Sequence, residues 1–245
     1  IKIFSTKTQE EINKIIDESK KYIPNSSLIY KLIGELQNMR AGNNDWMQAR
    51  EFQAETYGYD KYLGGCHMIP NHAIIILSLL FGDDDLQKTL MIVNTAGHDT
   101  DCNSGNVGCI MGIKNGLEGL RNGPDYLTPI QDRMYCPTAN GGETQTDALT
   151  EAYKVINTAK KMNKEETVEP KNGSRFHFEM PGSVQGWRSS FKNNKNISTI
   201  VQNTEYESSI GKRALEIKFD RVAPGVCSEA VVDTFFPQEL YELTG

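Results

Sequence analysis

The chain has 245 residues, 38% of them hydrophobic and 24% charged, which suits one large domain or a medium domain with a smaller companion. A formal charge of -6 argues against a polyanionic partner, because DNA and RNA are held mainly by clustered Lys and Arg, so no nucleic-acid binding is expected. The longest apolar run, AIIILSLLF at 73–81, is shorter than the roughly 20 residues that cross a bilayer, and no membrane span is expected.

From the start of the chain, apolar residues recur at helical spacing. Thr6 with Gln9 reads as a capping box, and Ile12, Ile15, Ile16 and Ser19 follow it in a helix that ends near Tyr22, ahead of Pro24. A second helix is predicted over 27–39, with Leu28, Ile29, Leu32, Ile33 and Leu36 inward and a stop at Gly42. A third begins near Asp45. Residues 71–80 are apolar nearly all round and read as a central buried helix; the acidic turn 83–85 then caps a helix with the body LQKTLMIVNTA.

Residues 97–120 read GHDTDCNSGNVGCIMGIKNGLEGL. Gly105, Gly108, Gly112, Gly116 and Gly119 are spaced 3, 4, 4 and 3 residues apart and fall on one stripe of a helix. Each internal glycine costs about 1 kcal/mol against alanine, so the stripe predicts another backbone passing close to that face. Just before it stand Asp99 and Asp101. Two carboxylates one residue apart, where the chain turns into a helix, can aim oxygens at one hard cation such as magnesium or calcium, or can cap the helix and complement its dipole.

A last amphipathic helix is predicted over 144–162, closing a mainly α region at 1–163. The charged stretch KEETVEPKNGS marks a linker at 164–173. The remainder, 174–245, alternates with a period of two: Phe176 and Phe178 share one face of RFHFEM, and Leu215, Ile217 and Phe219 one face of ALEIKF. With turns at PGSVQGW, KNNKN and APGVCS it reads as part of a small β-sandwich. Such sandwiches usually need about 100 residues, so the domain is expected to continue past Gly245. The five cysteines, Cys66, Cys102, Cys109, Cys136 and Cys227, form no C-x-x-C pair and point to free thiols.

The segment HMIPNHAIIILSLLFGDDDLQKTLMIVNTAGHDTDCNSGNVGCIMGIKNGLEGL resembles the C-terminal half of the ADP-ribosylglycohydrolase family, whose signature joins H-x-x-P-N, a buried helix, an acidic turn and G-x-D-T-D-C-N ahead of a glycine-spaced helix. KYIPNSSLIYKLIGEL, NDW and YLTPIQDR extend the resemblance over roughly 1–163. It implies an all-α bundle that holds two Mg2+ ions and hydrolyses the glycosidic bond of an ADP-ribosyl group or a related small-molecule glycoside. By the same resemblance Asp99 and Asp101 are metal ligands, and Cys102 stands where relatives carry a threonine ligand, although a thiol suits magnesium poorly. His67, Asn71 and Asn103 are implied to bind or brace the substrate, a purely structural histidine being an equal reading of His67; His98 receives no role. The family's remaining ligands, a T-D-D segment, and its catalytic acidic residue are expected upstream of Ile1, so the region reads as an N-terminally truncated bundle. A catalytically inactive binding relative is the alternative to a hydrolase.

Haloacid-dehalogenase-type phosphatases and nucleoside hydrolases also use D-x-D, but the first place it directly at a strand end and the second follow it with further aspartates, neither of which occurs here. In the β region, FHFEMPGSVQGWR resembles the opening strand and turn of galactose-binding-like or carbohydrate-binding jelly rolls. There Trp187 either stacks on a carbohydrate or fills the sandwich core, the commoner fate of such a tryptophan.

Overall fold

A computed structural model describes residues 2–62, 64–136, 143–190, 199–219, 223–225, 228–238, 240 and 242. The chain divides into two compact units, 1–125 and 126–245.

The first unit is helical. Its capping box is Thr8 with Glu11, not Thr6 with Gln9: the Glu11 amide donates to the Thr8 hydroxyl while the Glu11 carboxylate accepts from the Thr8 amide at 2.8 Å, opening α1 (Gln9–Lys20). Gln9 is thereby free to reach across the fold. Its amide nitrogen donates to the Leu79 carbonyl at 2.9 Å, and its oxygen accepts from the Asp84 amide.

Ser27 caps α2 (Leu28–Gly42), and Asp45 caps α3 (Trp46–Tyr57) by accepting from the Met47 amide. The central helix α4 (Met68–Phe81) starts three residues before the predicted 71 and is buried nearly all round, from Ala73 and Ile74 to Leu80 and Phe81. Each large apolar side chain buried there contributes roughly 1.5–3 kcal/mol. Two of the C-terminal carbonyls of α4, those of Leu79 and Leu80, are met by Gln9 and by Arg40, whose Nε donates to the Leu80 carbonyl at 2.9 Å.

Asp85 caps α5 (Leu86–Thr95), as the acidic turn predicts. The other two aspartates of that turn are also structural: Asp83 pairs with Arg40 and Lys88, and Asp84 pairs with Lys114. The glycine-spaced helix is α6 (Thr100–Arg121), broken at Gly116, where φ is 60° and ψ -162°. α4 packs against α1, α2, α3, α5 and α6.

The glycine stripe does not meet the expected backbone. A Cβ built on Gly105 or Gly112 would find no described atom within 4 Å, and one on Gly108 would touch only Leu90 Cδ2, at 3.8 Å. No helix among the described residues is long and apolar enough to cross a membrane.

The second unit combines short strands with one helix. β1 (Arg133–Tyr135) pairs antiparallel with β2 (Gln145–Asp147), and Asp147 caps α7 (Ala148–Met162). The predicted helix over 144–162 therefore begins only at Ala148, because its first residues form β2, and it lies in the second unit rather than in the helical first one. The stretch 164–173 is held against α7: Asn157 donates to the Val168 carbonyl at 3.0 Å and accepts from its amide at 2.8 Å.

β3 (Arg188–Ser189) pairs with β6 (Ala230–Val231), and β4 (Thr199–Ser208) forms an antiparallel hairpin with β5 (Gly211–Phe219). These are two-stranded sheets, so no sandwich is assembled among the described residues. The KNNKN turn and Cys227 lie outside the described residues.

RFHFEM is not a strand. Phe178 is left-handed, with φ of 58°, and the buried Gln185 side chain takes the place of a neighbouring strand. Its oxygen accepts from the His177 and Phe178 amides at 2.8 and 2.9 Å, and its nitrogen donates to the Arg175 carbonyl at 2.8 Å. Phe176 and Phe178 do share a face, with ring centroids 6.4 Å apart, and half-buried Trp187 lies edge-on to Phe176 at 5.8 Å.

Candidate functional site

The acidic pair sits where α5 ends and α6 begins. Gly97, His98 and Asp99 have φ of 76°, 60° and 51°, three successive left-handed residues that swing the chain from one helix into the next. Two of them carry a Cβ, and such positions persist only where surrounding contacts hold them.

Five contacts do so here. Arg50 Nε donates to the Ala96 carbonyl, and the Asn103 side chain donates to the His98 carbonyl at 2.7 Å. The His98 ring stacks on Tyr59, with centroids 4.2 Å apart and planes 11° apart. Asn71, in the first turn of α4, donates to Asp99 Oδ2 at 2.7 Å, and its own oxygen accepts from the Tyr59 hydroxyl.

Asp99 occupies the N-cap position of α6 but makes no capping hydrogen bond with its side chain. The capping alternative therefore does not describe Asp99, whose carboxylate points to Asn71 instead. Asp101, in the first turn of α6, and Cys102 are exposed. One donor atom from each of Asp99, Asp101 and Cys102 lies within 4.8 Å of the other two.

The carboxylates suit a hard cation, since they converge with like charge and Asp99 is met by a neutral amide rather than by Lys or Arg. The sulfur does not. A hydrogen bond to Asp99, then the charges of Asp99 and Asp101, push the Cys102 thiol above its ordinary value, and a protonated sulfur is a poor ligand for magnesium.

The other residues named by the resemblance take distinct places. His67 is the N-cap of α4, its Nδ1 accepting from the Ile69 amide at 3.2 Å and its ring tilted against Tyr62 at 5.1 Å. Asn71 braces Asp99. Asn103 is 1% exposed, and its amide is committed to the His98 carbonyl.

Sequence reasoning missed Tyr59, Arg50 and His98. Tyr59 and Arg50 reach the turn from α3 and the loop after it, with no periodicity or motif linking them to residues more than 35 positions away. Burial, with the Arg50 charge adding to it, lowers the His98 imidazole below its ordinary value, and its enclosed Nδ1 has no hydrogen-bond partner among the described residues. Burial, then the Asp99 charge, push the Tyr59 phenol up, so it remains a protonated donor.

The family model for ADP-ribosylglycohydrolase matches residues 3–162, and the chain belongs to the ADP-ribosylglycohydrolase family. The family assigns a hydrolase of glycohydrolase type acting on a small-molecule substrate. No curated protein and no solved structure shows a significant match to the chain.

Proposed function

We propose that this protein is a magnesium-dependent hydrolase that cleaves the glycosidic bond of an ADP-ribosyl group or a related glycoside. The observation that carries the reading is the convergence of Asp99 and Asp101 in a chain whose residues 3–162 match the family. Asp99 and Asp101 would hold the cation. When bound, Mg2+ supplies Lewis-acid polarisation of the sugar and a lowered pKa for a coordinated water.

The chain's own residues supply position. The left-handed turn at 97–99 sets the two carboxylates side by side at the start of α6. Asn71 holds one oxygen of Asp99 without neutralising it. Of the three residues proposed to meet substrate, His67 is the best placed to do so, because Asn71 and Asn103 have committed their amides to protein partners. In this reading Cys102 lines the site as a neutral thiol. The resemblance implies a second cation held by a T-D-D segment, and no such segment occurs in the 245 residues.

The test is release of ADP-ribose from ADP-ribosyl-arginine and ADP-ribosyl-serine peptides, with Mg2+ and with EDTA. Asp99→Ala and Asp101→Ala should each reduce turnover by at least about 100-fold, since even outer-shell partners of a metal cost 10- to 100-fold. Unchanged turnover in either variant would remove the metal assignment. A wild-type protein that binds ADP-ribose but does not turn over the peptides would favour the inactive binding relative.

A further inference from the structure

We propose that Tyr59 and Asn71 form a positioning relay that orients Asp99 for its cation, a role resting on the metal-dependent reading above. Three side chains from three segments of the chain point the same way. The Tyr59 hydroxyl, in the loop after α3, donates to Asn71 Oδ1; Asn71 Nδ2, on α4, donates to Asp99 Oδ2 at 2.7 Å at the start of α6.

The chemistry of the amide makes this more than a pair of contacts. A primary amide presents an acceptor at one end and donors at the other, and the two ends exchange by a flip of the group. A phenol that donates to Oδ1 selects one orientation, with NH2 toward the carboxylate. Without that hydroxyl the flipped amide, with oxygen facing Asp99, loses one of its two penalties, keeping only the repulsion between the amide oxygen and the carboxylate, and the guidance of the carboxylate weakens. Asn71 is 4% exposed, so water has little access to replace the missing donor.

The relay is itself anchored. The Tyr59 ring lies flat on His98, the residue directly before Asp99, so the phenol and the carboxylate it serves are registered to the same turn. All the donors in the relay are neutral. An Arg or Lys in place of Asn71 would fix the carboxylate equally well but would compete with a cation for its charge; an amide orients Asp99 without bringing a positive charge to it.

The measurement is Mn2+ binding to the full chain, followed by electron paramagnetic resonance, in wild type, Tyr59→Phe, Asn71→Ala, the double variant and Asp99→Asn. Asp99→Asn should abolish the bound signal. Tyr59→Phe keeps the ring and its stack, and should weaken Mn2+ by about 10-fold, the lower end of outer-shell effects, with the unfolding midpoint of the metal-free protein unchanged. Because the two residues act in series, the double variant should bind no more weakly than Asn71→Ala alone.

Wild-type affinity in Tyr59→Phe, or additive losses in the double variant, would overturn the relay while the loss in Asp99→Asn left the metal site standing. If Tyr59→Phe lowered the metal-free midpoint, the comparison of Asn71→Ala with the double variant would still decide between series and independent action. Equal binding by Asp99→Asn and wild type, or none by wild type, would overturn both the relay and the metal-dependent reading.

Discussion

Cys102 is the residue at which this site departs most plainly from what a hard cation requires. Its sulfur lies within reach of both carboxylates, yet the hydrogen bond to Asp99 and the two nearby charges keep it protonated. A hydroxyl at the same place offers a hard oxygen in a side chain of similar size. Cys102→Thr should therefore tighten Mg2+ binding severalfold, measured by isothermal titration calorimetry on the full chain. A weaker or unchanged affinity would mean that position 102 does not face the cation. The same reasoning separates the two aspartates from the acidic turn at 83–85, whose charges are already matched by Arg40, Lys88 and Lys114.

At the scale of elements, α6 carries its glycines for different reasons at different positions. Gly105 and Gly112 have helical geometry and open space where a Cβ would go, so alanine at either should stabilise the first unit by about 1 kcal/mol through helix propensity. Gly116 breaks the helix in a backbone conformation open only to glycine, and Gly116→Ala should destabilise it. Gly82, at the end of α4, has an ordinary φ of -73°, but a Cβ there would collide with the buried Thr89 side chain on α5. Overpacking of this kind costs about 1–3 kcal/mol, so Gly82→Ala should lower the urea midpoint while Gly105→Ala raises it. A destabilising Gly105→Ala would show that the stripe is covered after all, as its spacing predicts.

At the scale of the whole molecule, the two units share a response to acid. Burial lowers the His72 imidazole in the first unit, and burial, only partly opposed by Asp147 and Glu179, lowers that of His177 in the second. A histidine whose folded pKa is depressed binds its proton first in the unfolded chain. Stability from these groups is complete above the ordinary value of about 6.5 and is lost as pH falls below it, until the folded imidazoles protonate too. Chemical denaturation at about pH 7.5 and pH 5.5 should show lower stability at the acid value, and His72→Gln should reduce the difference. A stability that rises as the pH falls would contradict both assignments.

How much of this was legible in the sequence depends on how far each interaction reaches along the chain. The helix starts near Ser27 and Asp45, the acidic turn that caps α5, the buried helix α4 and the D-T-D-C cluster all lie within one or two helical turns, so local propensity and spacing determined them. The choice of Thr8 over Thr6 lay between two equally local patterns, and Gln9 was drawn away by the carbonyls at the end of α4. RFHFEM alternates like a strand, but a strand also needs a ladder partner, and here the Gln185 side chain took that role. The sequence by itself determined the helical class of the first unit, the family and the acidic pair, because those rest on contiguous residues. Only the tertiary structure decided that Asp99 turns away from its helix toward Asn71, and that Tyr59 and His98 stand behind it. Those directions arise from side chains brought together from α4, from the loop after α3 and from the strained turn before α6, whose approach no single segment encodes.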